Sequence, residues 1–265
     1  MSRKLYIEST GCGDDLVLLH GWGMHSGVWS KVREALAQNF RVHVVDLPGH
    51  GKSFRTDSGF TLEALANDIL EQLNIADDKK VHWVGWSLGG LLACTIAAYS
   101  PKQVASLTLV ATNLCFTRSD DWPHAMNRET LQEFAGFLMQ QPEDTLNQFL
   151  GLQVYGQAKA RETLKELRQH ILNQPSAELE ALKAGLDILL DSDLRPIVKK
   201  IQTPVLMISG EKDRLVPPTS QAESSHLFAQ ARSHIIKDAG HAVFISQHEL
   251  FMKTLSEFIN HVEAA

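Results

Sequence analysis

The chain has 265 residues, 44% of them hydrophobic and 21% charged, with a formal net charge of −6 at pH 7. That is enough apolar material for one large core, or a core with an inserted cap, and the acidic balance excludes nucleic acid as a general partner because phosphate binding needs a basic face. No apolar run reaches the length of a membrane span, and Met1–Glu8 turns charged again before a signal-peptide stretch can form, so a cytoplasmic protein without a membrane partner is expected.

In chain order, the first apolar strand, Leu16–Leu19, runs into His20-Gly21-Trp22-Gly23. The glycines let the backbone curl, and a loop at this place offers a backbone N–H, by position that of Trp22, to a developing oxyanion; the plainer reading is a tight turn over a buried Trp. A helix over Ser26–Gln38 and a strand over Arg41–Val45 lead to the turn-rich loop Asp46-Leu47-Pro48-Gly49-His50-Gly51-Lys52-Ser53. The loop faintly echoes a phosphate loop, but the G-x-x-x-x-G-K-[ST] spacing is absent.

A helix over Thr61–Leu73 precedes the strand Val81–Gly85 and the run Gly85-Trp86-Ser87-Leu88-Gly89, which opens a helix over Leu88–Tyr99. A strand turning sharply into a helix strains its central residue, and only small neighbours let the chain pass so close to itself, which makes Ser87 a nucleophile candidate. The same turn aims the Leu88 N–H at the reacting carbonyl, where the helix N-terminus adds positive potential. With the strand Val104–Val110, the alternation from residue 16 to about 110 predicts βαβ units and a parallel sheet.

From about Asn113 to Asp191 the strand signal disappears, and Phe134, Phe137, Leu138, Phe149, Leu150 and Leu152 recur at helical spacing, which predicts an inserted helical lid. Residues 1–112 and 192–265 then form the core and residues 113–191 the lid. Strands resume with Pro204–Ser209, followed by Gly210-Glu211-Lys212-Asp213, and with Ser233–Lys237, followed by Asp238-Ala239-Gly240-His241; a final helix covers Ser246–Val262. Each acid or base candidate lies just past a strand end. In a parallel sheet those ends share one edge, so Ser87, Asp213 and His241 can meet there, in the chain order described for α/β-hydrolases.

Cys12, Cys94 and Cys115 are odd in number and in no C-x-x-C pair, which fits a reducing compartment, with Cys94 expected in the core. None of the twelve His residues falls in H-E-x-x-H or a Cys/His cluster, so neither a metal nor another cofactor is expected.

From first strand to last helix the chain resembles the α/β-hydrolase fold, a mostly parallel central sheet flanked by helices. Within it, Leu18-Leu19-His20-Gly21-Trp22-Gly23, Val45 to Ser53 and Gly85-Trp86-Ser87-Leu88-Gly89-Gly90 together resemble the pimeloyl-[acyl-carrier protein] methyl ester esterases of biotin synthesis, as do Asp121-Trp122-Pro123 and Phe149-Leu150-Gly151-Leu152-Gln153. The resemblance implies a serine carboxylesterase that releases methanol, with Ser87, Asp213 and His241 as triad and Trp22 and Leu88 as oxyanion donors. It also implies that Trp22, Trp86, Phe134 and Phe149 line the acyl pocket, although ordinary core packing accounts for Trp86, Phe134 and Phe149 equally well. Its partner would be an acyl carrier protein met by basic lid residues, here Arg161, Lys165 and Arg168 on one helix face, unless the interleaved Glu162 and Glu166 neutralise them. Asp144 and Gln148 stand where the family carries basic residues. A monomer is expected. A generalist short-chain carboxylesterase, a lactonase and a C–C bond hydrolase share the triad and stay open; a non-catalytic receptor on this fold would not need all three residues.

Overall fold

The central strands are apolar on both faces, and this sets the layering. In β2 (Asp14–Leu19), Leu16 and Leu18 point into one core cluster and Val17 and Leu19 into another, so the sheet is sandwiched between two apolar layers. The computed structural model describes residues 4–55, 59–76, 78–172 and 174–264; Met1, Ser2 and Arg3, which entered the reading of the N-terminus, lie outside the described residues.

The elements in order are β1 (Ile7–Thr10), β2, a 3-10 turn at Ser26–Trp29, α1 (Ser30–Leu36), β3 (Phe40–Val45), α2 (Leu62–Leu73), β4 (Val81–Trp86), α3 (Leu88–Tyr99) and β5 (Val104–Val110). Then come α4 (Arg128–Gln140), α5 (Pro142–Gln153), α6 (Ala160–Leu172), α7 (Leu179–Asp191), α8 (Arg195–Val198), β6 (Val205–Gly210), α9 (Pro218–Ser225), β7 (Ala231–Ile236), α10 (Val243–Ser246) and α11 (His248–Glu263). The sheet runs β1-β3-β2-β4-β5-β6-β7, every pair parallel except β1 with β3.

Two helices differ from expectation. The stretch from Ser26 begins as a 3-10 turn, because the His25 ring caps it by accepting the Gly27 N–H at 3.0 Å, and only Ser30–Leu36 is α-helical. The last helix, α11, starts at His248 instead of Ser246, because Gln247 with φ −132° and ψ 50° leaves helical geometry and ends the short α10 before it. Helix α3 is buried from Leu88 to Ala97, which explains its lack of amphipathic pattern and makes Cys94 a core residue whose thiol is pushed up by burial.

Helices α4 to α7 form one insertion between β5 and β6. Its two chain crossings are fastened side by side: Cys115 bridges Asp193, and the Leu194 N–H bonds the Leu114 carbonyl at 2.9 Å. Arg195 grips Asp193, reaches Asp121 at 2.9 Å and lies 5.2 Å from the centre of the Trp122 ring. Among the described residues no helix is long and apolar enough to cross a membrane.

Candidate active site

Ser87 follows β4 with φ 55° and ψ −116°, a left-handed backbone that a non-glycine residue adopts only when its surroundings hold it there. They do. The Ser87 N–H bonds the Val110 carbonyl at 2.9 Å, and its own carbonyl takes the Gly90 N–H at 2.9 Å. A Cβ on Gly85 would strike the Gly89 carbonyl, and one on Gly89 would strike the carbonyls of Leu19 and His20, so the elbow is closed by steric fit against β2. Leu88 is the first residue of α3, so its N–H has no partner within the helix.

Asp213 lies three residues past β6. Its Oδ1 accepts the Leu215 and Val216 N–H groups, both at 2.9 Å, and its Oδ2 accepts His241 Nδ1–H at 2.8 Å. The carboxylate is therefore fixed on three sides, and this bond leaves Nε2 as the free nitrogen of the His241 ring. His241 is held in turn by its backbone: its N–H bonds the Gln153 carbonyl at 2.8 Å, and its carbonyl accepts Trp86 Nε1–H at 3.1 Å.

Ser87, His241 and Trp22 line one cavity. The rest of its wall is Phe116, Met126, Thr130, Leu131, Phe134, Phe149, Leu152, Leu186, Leu189 and Leu215. Apart from Ser87 and His241 only Thr130 is polar, and no Lys, Arg, Asp or Glu belongs to the wall. Such a wall suits an uncharged, apolar group.

Of the aromatic residues expected in the pocket, Trp22, Phe134 and Phe149 are in its wall, with Trp22 edge-on to Phe134 at 5.6 Å and to Phe149 at 4.9 Å. Trp86 is not. It is a β4 residue whose side chain points to the opposite face from Trp83 and Gly85, where it packs against Phe244 at 5.0 Å and Trp29 at 6.4 Å behind the His241 ring. The alternation of strand side chains thus turns an expected pocket residue into a support for the His241 ring.

The Trp22 indole donates to the Leu182 carbonyl of α7 at 2.7 Å, and Gly185 leaves it room, since a Cβ there would stand 2.7 Å from Trp22 Cδ1. His20, beneath this loop, donates from Nδ1 to the Gly21 carbonyl at 2.8 Å and accepts the Leu47 N–H at Nε2. Burial holds its pKa well below the usual histidine range. His50, 5.4 Å away, is pushed down to about 4 by the same cause. In the neighbouring loop the Asp46 carboxylate accepts the Ser26 N–H at 2.6 Å and the Lys52 N–H at 2.8 Å. The His50 and Ser53 N–H groups bond the Leu47 and His50 carbonyls, so the faint phosphate-loop pattern is a turn bonded largely to itself.

Arg161, Lys165 and Arg168 are exposed on α6, outside the wall of the Ser87 cavity; Arg168 lines a separate groove with Glu143, Asn147 and Ser176. The interleaved Glu166 is engaged by Lys31 at 2.8 Å and His170 at 3.5 Å, and among the described residues Arg161, Lys165 and Arg168 take part in no ion pair. Gln157, unread in the sequence, accepts the Gly240 N–H at 2.8 Å; no local pattern marks a contact between residues 83 apart.

The profile of the α/β-hydrolase fold family matches residues 15–247. Pimeloyl-[acyl-carrier protein] methyl ester esterases are similar over nearly the whole chain. That of Methylococcus capsulatus is 39% identical over 96% of this chain and 98% of its own. The Nitrosomonas europaea protein is 42% identical over 94% and 97%. Among solved structures, an esterase from Exiguobacterium antarcticum superposes with a TM-score of 0.87 at 23% identity over 97% of this chain and 96% of its own. The enol-lactonase from Burkholderia xenovorans gives 0.82 at 24% over 97% and 96%; at such identity both show the fold alone.

Proposed function

The chain belongs to the α/β-hydrolase family and within it to the pimeloyl-[acyl-carrier protein] methyl ester esterases, and we propose that it hydrolyses the methyl ester of a carrier-bound pimeloyl chain, releasing methanol, in the cytoplasmic synthesis of biotin. The observation that carries the reading is the uncharged cavity ending at Ser87 and His241, which suits a long apolar chain with a neutral ester at its far end.

Ser87 Oγ attacks the ester carbonyl as His241 Nε2 takes its proton. The oxyanion forms against the N–H groups of Trp22 and Leu88, and Asp213 keeps the imidazole in its Nδ1–H tautomer. The imidazolium then protonates the departing methoxide, giving methanol and the acyl-enzyme. Water, deprotonated by the same nitrogen, releases the carboxylate and restores Ser87.

Residues 113–191 act as the lid over this site, with residues 1–112 and 192–265 as the hydrolase core. An acyl carrier protein meets the exposed Arg161, Lys165 and Arg168 of α6, which the pairing of Glu166 with Lys31 leaves free to attract negative charge. Asp144 and Gln148 depart from the family's basic positions, so this side of α6 carries the docking charge here.

One experiment tests the whole. A biotin-requiring strain lacking its own pimeloyl-ester esterase grows without biotin when given this chain and does not when given Ser87→Ala, which should also lose at least about 10⁴-fold of its turnover. Reversing Arg161 and Lys165 to Glu weakens turnover of carrier-bound ester, in a salt-screened manner, and spares a small free ester. An active, soluble chain that fails to complement is instead a generalist short-chain carboxylesterase.

A further inference from the structure

The loop bearing His241 is held from two sides. From the core, the Lys212 N–H bonds the Ala239 carbonyl at 2.8 Å and Trp86 bonds the His241 carbonyl at 3.1 Å. From the helical insertion, Gln153, at the end of α5, offers its carbonyl to the His241 N–H at 2.8 Å. Gln157 offers Oε1 to the Gly240 N–H at 2.8 Å, and the Ala158 N–H reaches the Asp238 carboxylate at 3.1 Å. The insertion thus grips both amides next to the imidazole. Within the loop Asp238 has a positive φ of 53°, so no regular ladder fixes it there.

Among the described residues of the insertion, Gln157 is the side chain that reaches an amide of the loop, while from the core Glu211 accepts the Asp238 N–H at 3.2 Å. Gln157 is buried, its Nε2 has no hydrogen-bond partner among the described residues, and a Cβ on Gly240 would sit 3.1 Å from its Oε1. An orphaned buried amide nitrogen is costly, and an apolar side chain would avoid that cost. What an apolar side chain cannot do is hold the Gly240 N–H. The segment also has a telling place in the chain: it follows Phe149 and Leu152, which wall the cavity, and precedes α6, which starts at Ala160.

We propose that Gln157 is a positioning residue for ester hydrolysis: through Gly240 it sets the His241 imidazole relative to Ser87 Oγ, making the lid part of the catalytic base's support. This rests on the reading of His241 as the base. A misplacement of the base by a fraction of an ångström slows proton transfer while leaving the acyl pocket, and so substrate binding, unchanged.

The test uses the full chain and a short p-nitrophenyl ester, which needs no carrier. Gln157→Leu should lower kcat on the order of tenfold with KM within about twofold. Gln157→Glu, which returns an acceptor oxygen to Gly240, should recover most of the loss. The low-field proton resonance of the His241–Asp213 hydrogen bond should weaken in the Leu variant and return in the Glu variant. Gln157→Asn, one methylene short of Gly240 but still polar, should be as slow as Leu and decides the matter if the Leu variant does not fold. Wild-type kcat in the Leu and Asn variants overturns the proposal, as does a Glu variant no better than Leu, or a fall in kcat that only follows a lost thermal transition. His241→Ala separates the two levels. Full turnover in that variant removes the base and the proposal together, whereas an inactive His241→Ala beside unimpaired Leu and Asn variants removes the positioning role alone.

Discussion

The serine elbow and the helical lid wall the same cavity, yet they are held by different forces. At the elbow, backbone packs on backbone: Gly85 and Gly89 have no space for a side-chain carbon, and the strained Ser87 is locked by hydrogen bonds on both its amide and its carbonyl. In the lid Gly136 and Gly151 stand in the open, with no neighbour within 4 Å of a Cβ, and Gly185 is closed only by the Trp22 side chain. The lid is held by side chains instead: Leu138, Leu182 and Leu186 pack into the core, and polar contacts such as Trp22 to Leu182 and Gln157 to Gly240 pin it. Backbone locked on backbone holds one geometry, whereas an element held by side chains opens at lower cost.

The largest break in this contrast comes from adding one carbon in each region. Gly85→Ala should destabilise the fold by more than about 4 kcal/mol, enough to remove soluble protein, because the Gly89 backbone cannot move aside. The same change at Gly136, inside α4, should stabilise it by about 0.5–1 kcal/mol through helix propensity alone. Urea unfolding of the two variants measures both, and a tolerant Gly85 would erase the distinction.

Acid should act mainly through the rigid side. His50 is pushed down to about 4 by burial, so the unfolded chain binds its proton first as pH falls. Its contribution is fully present above the unfolded value near 6.5 and is lost as pH falls towards 4, amounting there to about 3 kcal/mol. His20 adds loss of the same sign. Comparing urea midpoints at both pH values for the wild type and His50→Gln checks this, since the variant should lack that increment.

The smallest effect sharpens the lid side. Trp22→Phe keeps the ring contacts with Phe134 and Phe149 but removes the donor to Leu182. It should ease lid opening by about 1–2 kcal/mol, read as amide exchange in α7 that is roughly 5- to 30-fold faster while β4 and β5 stay protected.

The same contrast explains what the amino-acid sequence discloses. Ser87 and Asp213 each follow an apolar strand, and His241 a polar edge strand ending in Ile235-Ile236, all in glycine-punctuated turns, a local pattern, and a parallel sheet then carries them to one edge. β1 is hidden because Ile7-Glu8-Ser9-Thr10 is a short, polar edge strand with one antiparallel neighbour. Trp86 misleads because adjacency to the nucleophile suggests the pocket, while strand alternation sends it to the other face. Gln157 is invisible because its meaning lies in a contact with Gly240, 83 residues on.

The lid leaves the sheet after β5 and returns before β6 through crossings that are already bonded to each other, Leu114 to Leu194 and Cys115 to Asp193. Such a junction is a natural splice. A different helical block could be grafted across it without shifting a single strand register, so substrate range can evolve by exchange of the insert while the hydrolytic chemistry is inherited intact. Gln153 and Gln157 add a condition to that trade: an incoming block must bring its own acceptors for the amides of His241 and Gly240, or the graft will leave both amides unpaired.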